Sequence, residues 1–253
     1  MPTISHRRIT APPEIKGDGL GLADGQDWLV EDSIVDLSDW ELDEIDECVG
    51  VTWGSSATFR RCHIKGAGKL FLCGCGDESK VPVESGKRVE LIDCLLEDGG
   101  RRFPEAQDGM EVVMHGCLIR NWGAADRFSV RNFGAWAHKG GKIDAFKCVF
   151  WQDSFWRPLR QMWADFVDHI GQAFNDEGWR ALLRPSTYLP GVCRGLFATN
   201  GGDAHAWGCW KNKWWIYLPW QKTTAHMDKI DAIITIAQLE KMAEKLDAEL
   251  PKE

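Results

Sequence analysis

The sequence predicts an all-β solenoid with C-terminal helical and irregular wrapping segments, on three observations. Short apolar runs bounded by glycine and aspartate return along the first 155 residues, four of them carry a cysteine at the same turn, and the period changes from about Trp156. Each unit is too short to bury its apolar side alone, so successive units stack as coils and bury it against their neighbours.

The first unit is Gly17-Asp18-Gly19-Leu20-Gly21-Leu22 followed by Asp27-Trp28-Leu29-Val30, brief strands joined by tight turns. The pattern returns at Gly50-Val51-Thr52-Trp53-Gly54 with Thr58-Phe59-Arg60-Arg61-Cys62. It comes again at Val89 to Cys94, Val112 to Cys117 and Ile143 to Cys148. The cysteine intervals are 32, 23 and 31 residues, a repeat with one short coil and loop insertions in the others. Cys62, Cys94, Cys117 and Cys148 are therefore expected as an internal ladder of small buried side chains. Cys73-Gly74-Cys75 reads as a tight coil turn, and Trp28, Trp53 and Trp122 as packing between coils. His63, His115 and His138 have no ligand-set spacing.

Residues 1–155 are expected to form the solenoid core, and 156–253 an extension that packs on it within the same domain. Trp156, Leu159, Met162, Trp163, Phe166, Ile170 and Phe174 recur at helical spacing, Gly178 to Trp220 reads as irregular wrapping, and Asp228 to Leu250 as a helix. That last helix places Ile230, Ile233, Ile234, Leu239, Met242 and Leu246 on one side, suited to covering a solenoid edge.

The net charge of −8 excludes a broad nucleic-acid surface, and the sequence has neither an apolar run long enough to span a membrane nor a secretory leader. Nine cysteines, an odd number without zinc-module spacing, read as reduced buried thiols.

The run Val51-Thr52-Trp53-Gly54-Ser55, then Lys69-Leu70-Phe71-Leu72, Arg102-Phe103-Pro104, Val130-Arg131-Asn132-Phe133-Gly134 and Cys148-Val149-Phe150 resembles the pectate lyase family of polysaccharide lyases. The resemblance covers roughly Gly17 to Gln152 and rests on the order of the motifs. It implies a right-handed parallel β-helix, in which an asparagine ladder occupies the turn where this chain has its cysteines. It also implies cleavage of an acidic, uronic-acid polysaccharide by β-elimination, with calcium and basic side chains neutralising the substrate carboxylate.

Carried over, Arg102 falls on the family's proton-abstracting arginine and Lys69 on its substrate-binding lysine. Lys69 is also the fallback base. Gln107 stands where the family has a second substrate arginine, which passes that job to Arg101 or Arg131. Asp18 and Asp46 fall near calcium carboxylates, while Lys16 and Gly50 stand in place of two others. Two carboxylates make an incomplete calcium site, and the Lys16 ammonium is an expected substitute for the metal. The alternatives are a β-helical carbohydrate-binding or virion structural module without turnover, and a hydrolase using Asp43, Asp46 or Asp77. The expected partner is an extracellular acidic polysaccharide, met as a secreted or virion component. Assembly into a homo-oligomer or larger particle is expected through the N-terminal end.

Overall fold

The computed structural model describes residues 1–12, 17–23, 25–40, 45–52, 54–66, 68–74, 87–123, 134–153, 195–213, 216, 218–219 and 227–251. Twenty strands in this set pair in parallel and sort into three sheets. Sheet A holds β1 (Thr3–Ser5), β4 (Asp27–Glu31), β7 (Ser56–Arg60), β10 (Arg88–Ile92), β13 (Glu111–His115), β16 (Lys142–Phe146) and β19 (Asp203–Trp207). Sheet B holds β2 (Arg8–Ile9), β5 (Ile34–Asp36), β8 (His63–Lys65), β11 (Leu95–Glu97), β14 (Leu118–Arg120), β17 (Val149–Trp151) and β20 (Trp210–Lys211). Sheet C holds β3 (Leu20–Leu22), β6 (Val49–Val51), β9 (Phe71–Cys73), β12 (Glu105–Ala106), β15 (Ala135–Ala137) and β18 (Leu196–Ala198). The chain visits A, B and C in turn and returns to A one strand further along, which is a parallel β-helix.

Alternation along each strand builds the core. In sheet A, Phe59, Leu91, Met114, Ala145 and Ala206 stack inward in register and are fully buried. Phe59 meets Phe71 of sheet C edge-on across the interior, with ring centroids 5.0 Å apart.

Each corner has its own chemistry. From A to B the chain turns through one left-handed residue in every coil: His6, Asp32, Arg61, Asp93, Gly116, Lys147 and Gly208. In the last five coils the next residue is cysteine, so the expected ladder of Cys62, Cys94, Cys117 and Cys148 is extended by Cys209. The Cys117 thiol donates to the carbonyls of His115 and Leu91, one in its own coil and one in the coil before. In an earlier coil Ser33 takes the same place, and its hydroxyl donates to Glu31.

The B-to-C corner carries a polar side-chain contact between coils instead. There Asn121 Nδ2 donates to Asp98 and to Asp153, at 3.2 and 2.7 Å. From C to A, Asp108-Gly109, Lys139-Gly140 and Asn200-Gly201 each put two left-handed residues in a row, closed by a hydrogen bond from the second residue after the first to the residue before it. Those hydrogen bonds run from Met110 N, Gly141 N and Gly202 N to Gln107 O, His138 O and Thr199 O.

The expected boundary of the solenoid is corrected. The solenoid does not stop at residue 155: β18, β19 and β20 continue it through part of the stretch read as irregular wrapping. Ala204, Ala206 and Cys209 repeat the inward pattern of Ile143, Ala145 and Cys148, and the intervening insertion hides this in the sequence. The predicted helix starting at Trp156 lies outside the described residues.

The C-terminal helix α1 (Lys229–Glu249) forms with Asp228 as N-cap, its carboxylate accepting from Ile230 N and Asp231 N. It covers the face of sheet B, not an edge, packing on β11, β14 and β17. Leu95, Leu118 and Val149 point outward from that sheet and are buried by Ala232, Leu239 and Ala243, while Leu246 and Leu250 close on Ile34. Its 21 residues give a length of about 31 Å, close to the roughly 29 Å that seven strands span. Ile230, Ile233 and Ile234 are exposed, because the small Ala232 and Ala243 set the contact face instead.

Candidate functional site

The outer face of sheet C gathers the residues singled out above. Gly21, Gly50, Leu72, Glu105, Trp136 and Phe197 stand in register along it, one per coil. Just before these strands Asp18, Asp46, Glu47, Lys69 and Arg102 bring three carboxylates and two cations together.

Local backbone explains why. A β-carbon at Gly50 would lie 2.0 Å from Asp18 Oδ2, so glycine there makes room for the Asp18 carboxylate to lie over the strand. Glu47 precedes the inward Cys48 and alternation turns it outward, where its backbone N–H donates to Asp18 Oδ1 at 3.3 Å. Arg102 sits in a β-bulge. Lys69 pairs with Arg101 and Leu72 with Glu105, so between these pairs three residues on one strand oppose two on the other. Arg102 adopts φ of +65° within that bulge, and bulges of this kind re-aim a side chain.

One oxygen each from Asp18, Asp46 and Glu47 lies within 4.8 Å of the others. Lys69 Nζ donates to Asp46 and lies 3.8 Å from Glu47 Oε1. Arg102 Nη1 donates to Glu47, and its Nε lies 2.7 Å from Glu105 Oε2. Beyond Glu105 the network continues: His138 Nε2 is 2.8 Å from Glu105 Oε1 and 3.0 Å from Gln107 Oε1. The Trp136 indole stacks on the His138 ring at 3.9 Å and 15°.

Burial pushes the Glu47 carboxyl up to about 8, against the opposing charges of Arg102 and Lys69 and with help from Asp46 and Asp18. Burial also raises Asp18, and the charge of Asp46 adds to it. Asp46 goes the other way: burial opposes its charge, but the hydrogen bond and charge of Lys69 outweigh that and hold it below the usual range.

The trio is an oxygen-only donor set of the kind a hard divalent cation takes, with Glu47 as a third carboxylate beside the expected Asp18 and Asp46. Glu47 was missed in the sequence, although its outward position beside Asp46 follows from strand alternation. Of the other expected residues, Lys69 and Arg102 are in the site, and Arg101 pairs its backbone with Lys69. Gln107 is buried and turned onto His138 rather than toward the carboxylates. His138, set aside in the sequence, belongs to the network. Lys16, Arg131, Asp43 and Asp77 lie outside the described residues. Trp28 and Trp122 pack against or within the core, and Trp53 also lies outside the described residues. No family model and no curated protein matches the chain.

Proposed function

We propose that this protein is a polysaccharide lyase that cleaves an acidic, uronic-acid polysaccharide by β-elimination on the outer face of sheet C. The observation that carries the reading is the convergence of Lys69 and Arg102 on Asp18, Asp46 and Glu47 from successive coils. Calcium on that trio would supply a further positive charge for the substrate carboxylate.

Arg102, held by Glu47 and Glu105, is a donor and not a proton acceptor, since a guanidinium keeps its charge. Its part is to face the negative charge that develops on the uronate carboxylate as C5 loses its proton. Lys69 is the more exposed cation, 30% against 16% for the side chain, and is assigned the proton. The C5–H electron pair forms the C4–C5 double bond, the C4–O bond breaks, and the departing oxygen takes a proton from water.

A second reading has its own support. Asp46 and Glu47 are pushed in opposite directions, the arrangement of an acid and base pair in a hydrolase. Incubation with polygalacturonate and other polyuronates, with and without calcium, tests the proposal through the ultraviolet absorbance of an unsaturated product. Binding without any cleavage would leave a carbohydrate-binding or virion module.

A further inference from the structure

We infer that His138 is a positioning residue for Arg102, acting through Glu105; this rests on reading Arg102 as the charge-stabilising group of the site. Glu105 is 2% exposed and stands between the two: its Oε2 is 2.7 Å from Arg102 Nε, an ion contact in which neither atom makes an aligned hydrogen bond, and its Oε1 is 2.8 Å from His138 Nε2. A carboxylate only accepts, so His138 Nε2 carries the proton, and the Gln107 oxygen at 3.0 Å is a second acceptor for it. Both acceptors therefore require the same tautomer.

The ring cannot swing away from that bond cheaply. Trp136 lies parallel to it at 3.9 Å, and His138 itself is 7% exposed. The strands fix the spacing, because Glu105 is in register with Trp136 and Ala106 with Ala137. Arg102, by contrast, is in a bulge with a left-handed backbone, and although its carbonyl accepts from Phe71 N the regular register that would aim its side chain is broken there. Its guanidinium is oriented by the two carboxylates it meets, and one of them is oriented by His138. Without that N–H, Glu105 Oε1 is a buried acceptor lacking its donor, and the carboxylate turns toward another partner.

His138→Phe keeps the ring and the Trp136 stack and deletes only the donor, and His138→Gln returns an N–H. The first readout is independent of turnover: hydrogen exchange of the Arg102 Nε–H in the protein with ¹⁵N-labelled arginine, its signal assigned by Arg102→Lys. Exchange in His138→Phe should be faster by about tenfold, a loss of roughly 1.4 kcal/mol of protection, with His138→Gln near wild type. Glu105→Gln should move the signal in the same direction. On a cleaved polyuronate, His138→Phe should lower kcat by roughly 10- to 100-fold with KM little changed, the signature of a misplaced charge. Unchanged exchange in both His138→Phe and Glu105→Gln would overturn the inference, as would full kcat in folded His138→Phe. If wild type cleaves no polyuronate the functional reading fails, while the exchange measurement still decides the role of His138.

Discussion

Arg102 reaches past the coil of Lys69 to donate to Glu47, a carboxylate 55 residues earlier in the chain. The contact ties the fourth coil to the second, and Lys69 in the third lies within 3.8 Å of the same carboxylate. A solenoid makes this ordinary: residues a coil apart in sequence are neighbours at strand spacing in space.

The two cations have different assigned tasks, so their variants should differ. Lys69→Ala should abolish turnover, and Lys69→Arg should fail to rescue it because a guanidinium does not give up its proton. Arg102→Lys should retain a residue of activity, reduced by about 10²- to 10³-fold in kcat as for loss of a preorganised donor. Initial rates on a polyuronate check both. Full activity in Lys69→Arg would remove Lys69 as base.

Glu47 predicts a pH dependence of stability. Its folded value is raised from the ordinary 4.5 to about 8, so the stability it contributes is present below 4.5 and is lost as pH rises toward 8. In chelator, wild type should lose melting temperature over that window more steeply than Glu47→Gln. Added calcium should narrow the gap by binding the ionised trio. Parallel melting curves for the two proteins across the window would contradict the burial argument.

Glu97 has the opposite sign. Burial raises it, but the hydrogen bond and charge of His63 and the charge of Arg120 outweigh that and lower its folded value below 4.5. Its stabilisation is therefore present above 4.5 and lost as pH falls through the folded value. Arg120 also donates to Glu240 at 2.7 Å, which ties sheet B to α1. Glu97→Gln should cost about 1–3 kcal/mol at neutral pH, with the difference from wild type shrinking as pH falls below 4.5 and through the lowered folded value. Denaturant unfolding at several pH values measures it.

The cysteine column makes a packing prediction. Ser33 fills the same corner with the same bond to the carbonyl two residues back, so Cys117→Ser should fold and stack normally. Cys117→Leu should cost about 1–3 kcal/mol by overpacking a fully buried position. Equal stability of the two variants would show that the corner is looser than its burial indicates.

The solenoid was legible because its signals are local and repeated. The Gly-bounded apolar runs mark the strands, and the recurring cysteine marks the A-to-B corner in the last five coils. Where an insertion separates β17 from β18 the repeat was lost, since a fixed interval cannot be read across added residues. The helix at Asp228 was read correctly from its apolar spacing, and its contact face in part: Leu239, Met242 and Leu246 pack on the solenoid, the isoleucines do not. Apolarity alone favoured Ile230, Ile233 and Ile234, whereas close packing on sheet B selected the alanines. At the site, Lys69, Arg102, Asp18 and Asp46 were found through motif order. Glu47, Glu105 and His138 were not, because their partnership depends on which coils stack and on the bulge that aims Arg102. No spacing in the sequence records that register.

Elimination at the carboxylate and cation cluster leaves its mark in the mass of the product. An oligouronate of defined length, incubated with the protein and analysed by mass spectrometry, should yield one fragment lighter by a water than the corresponding saturated sugar. That fragment should be missing with Lys69→Ala. Fragments that have all gained water would instead mean hydrolysis, assign the chemistry to Asp46 and Glu47, and contradict the account.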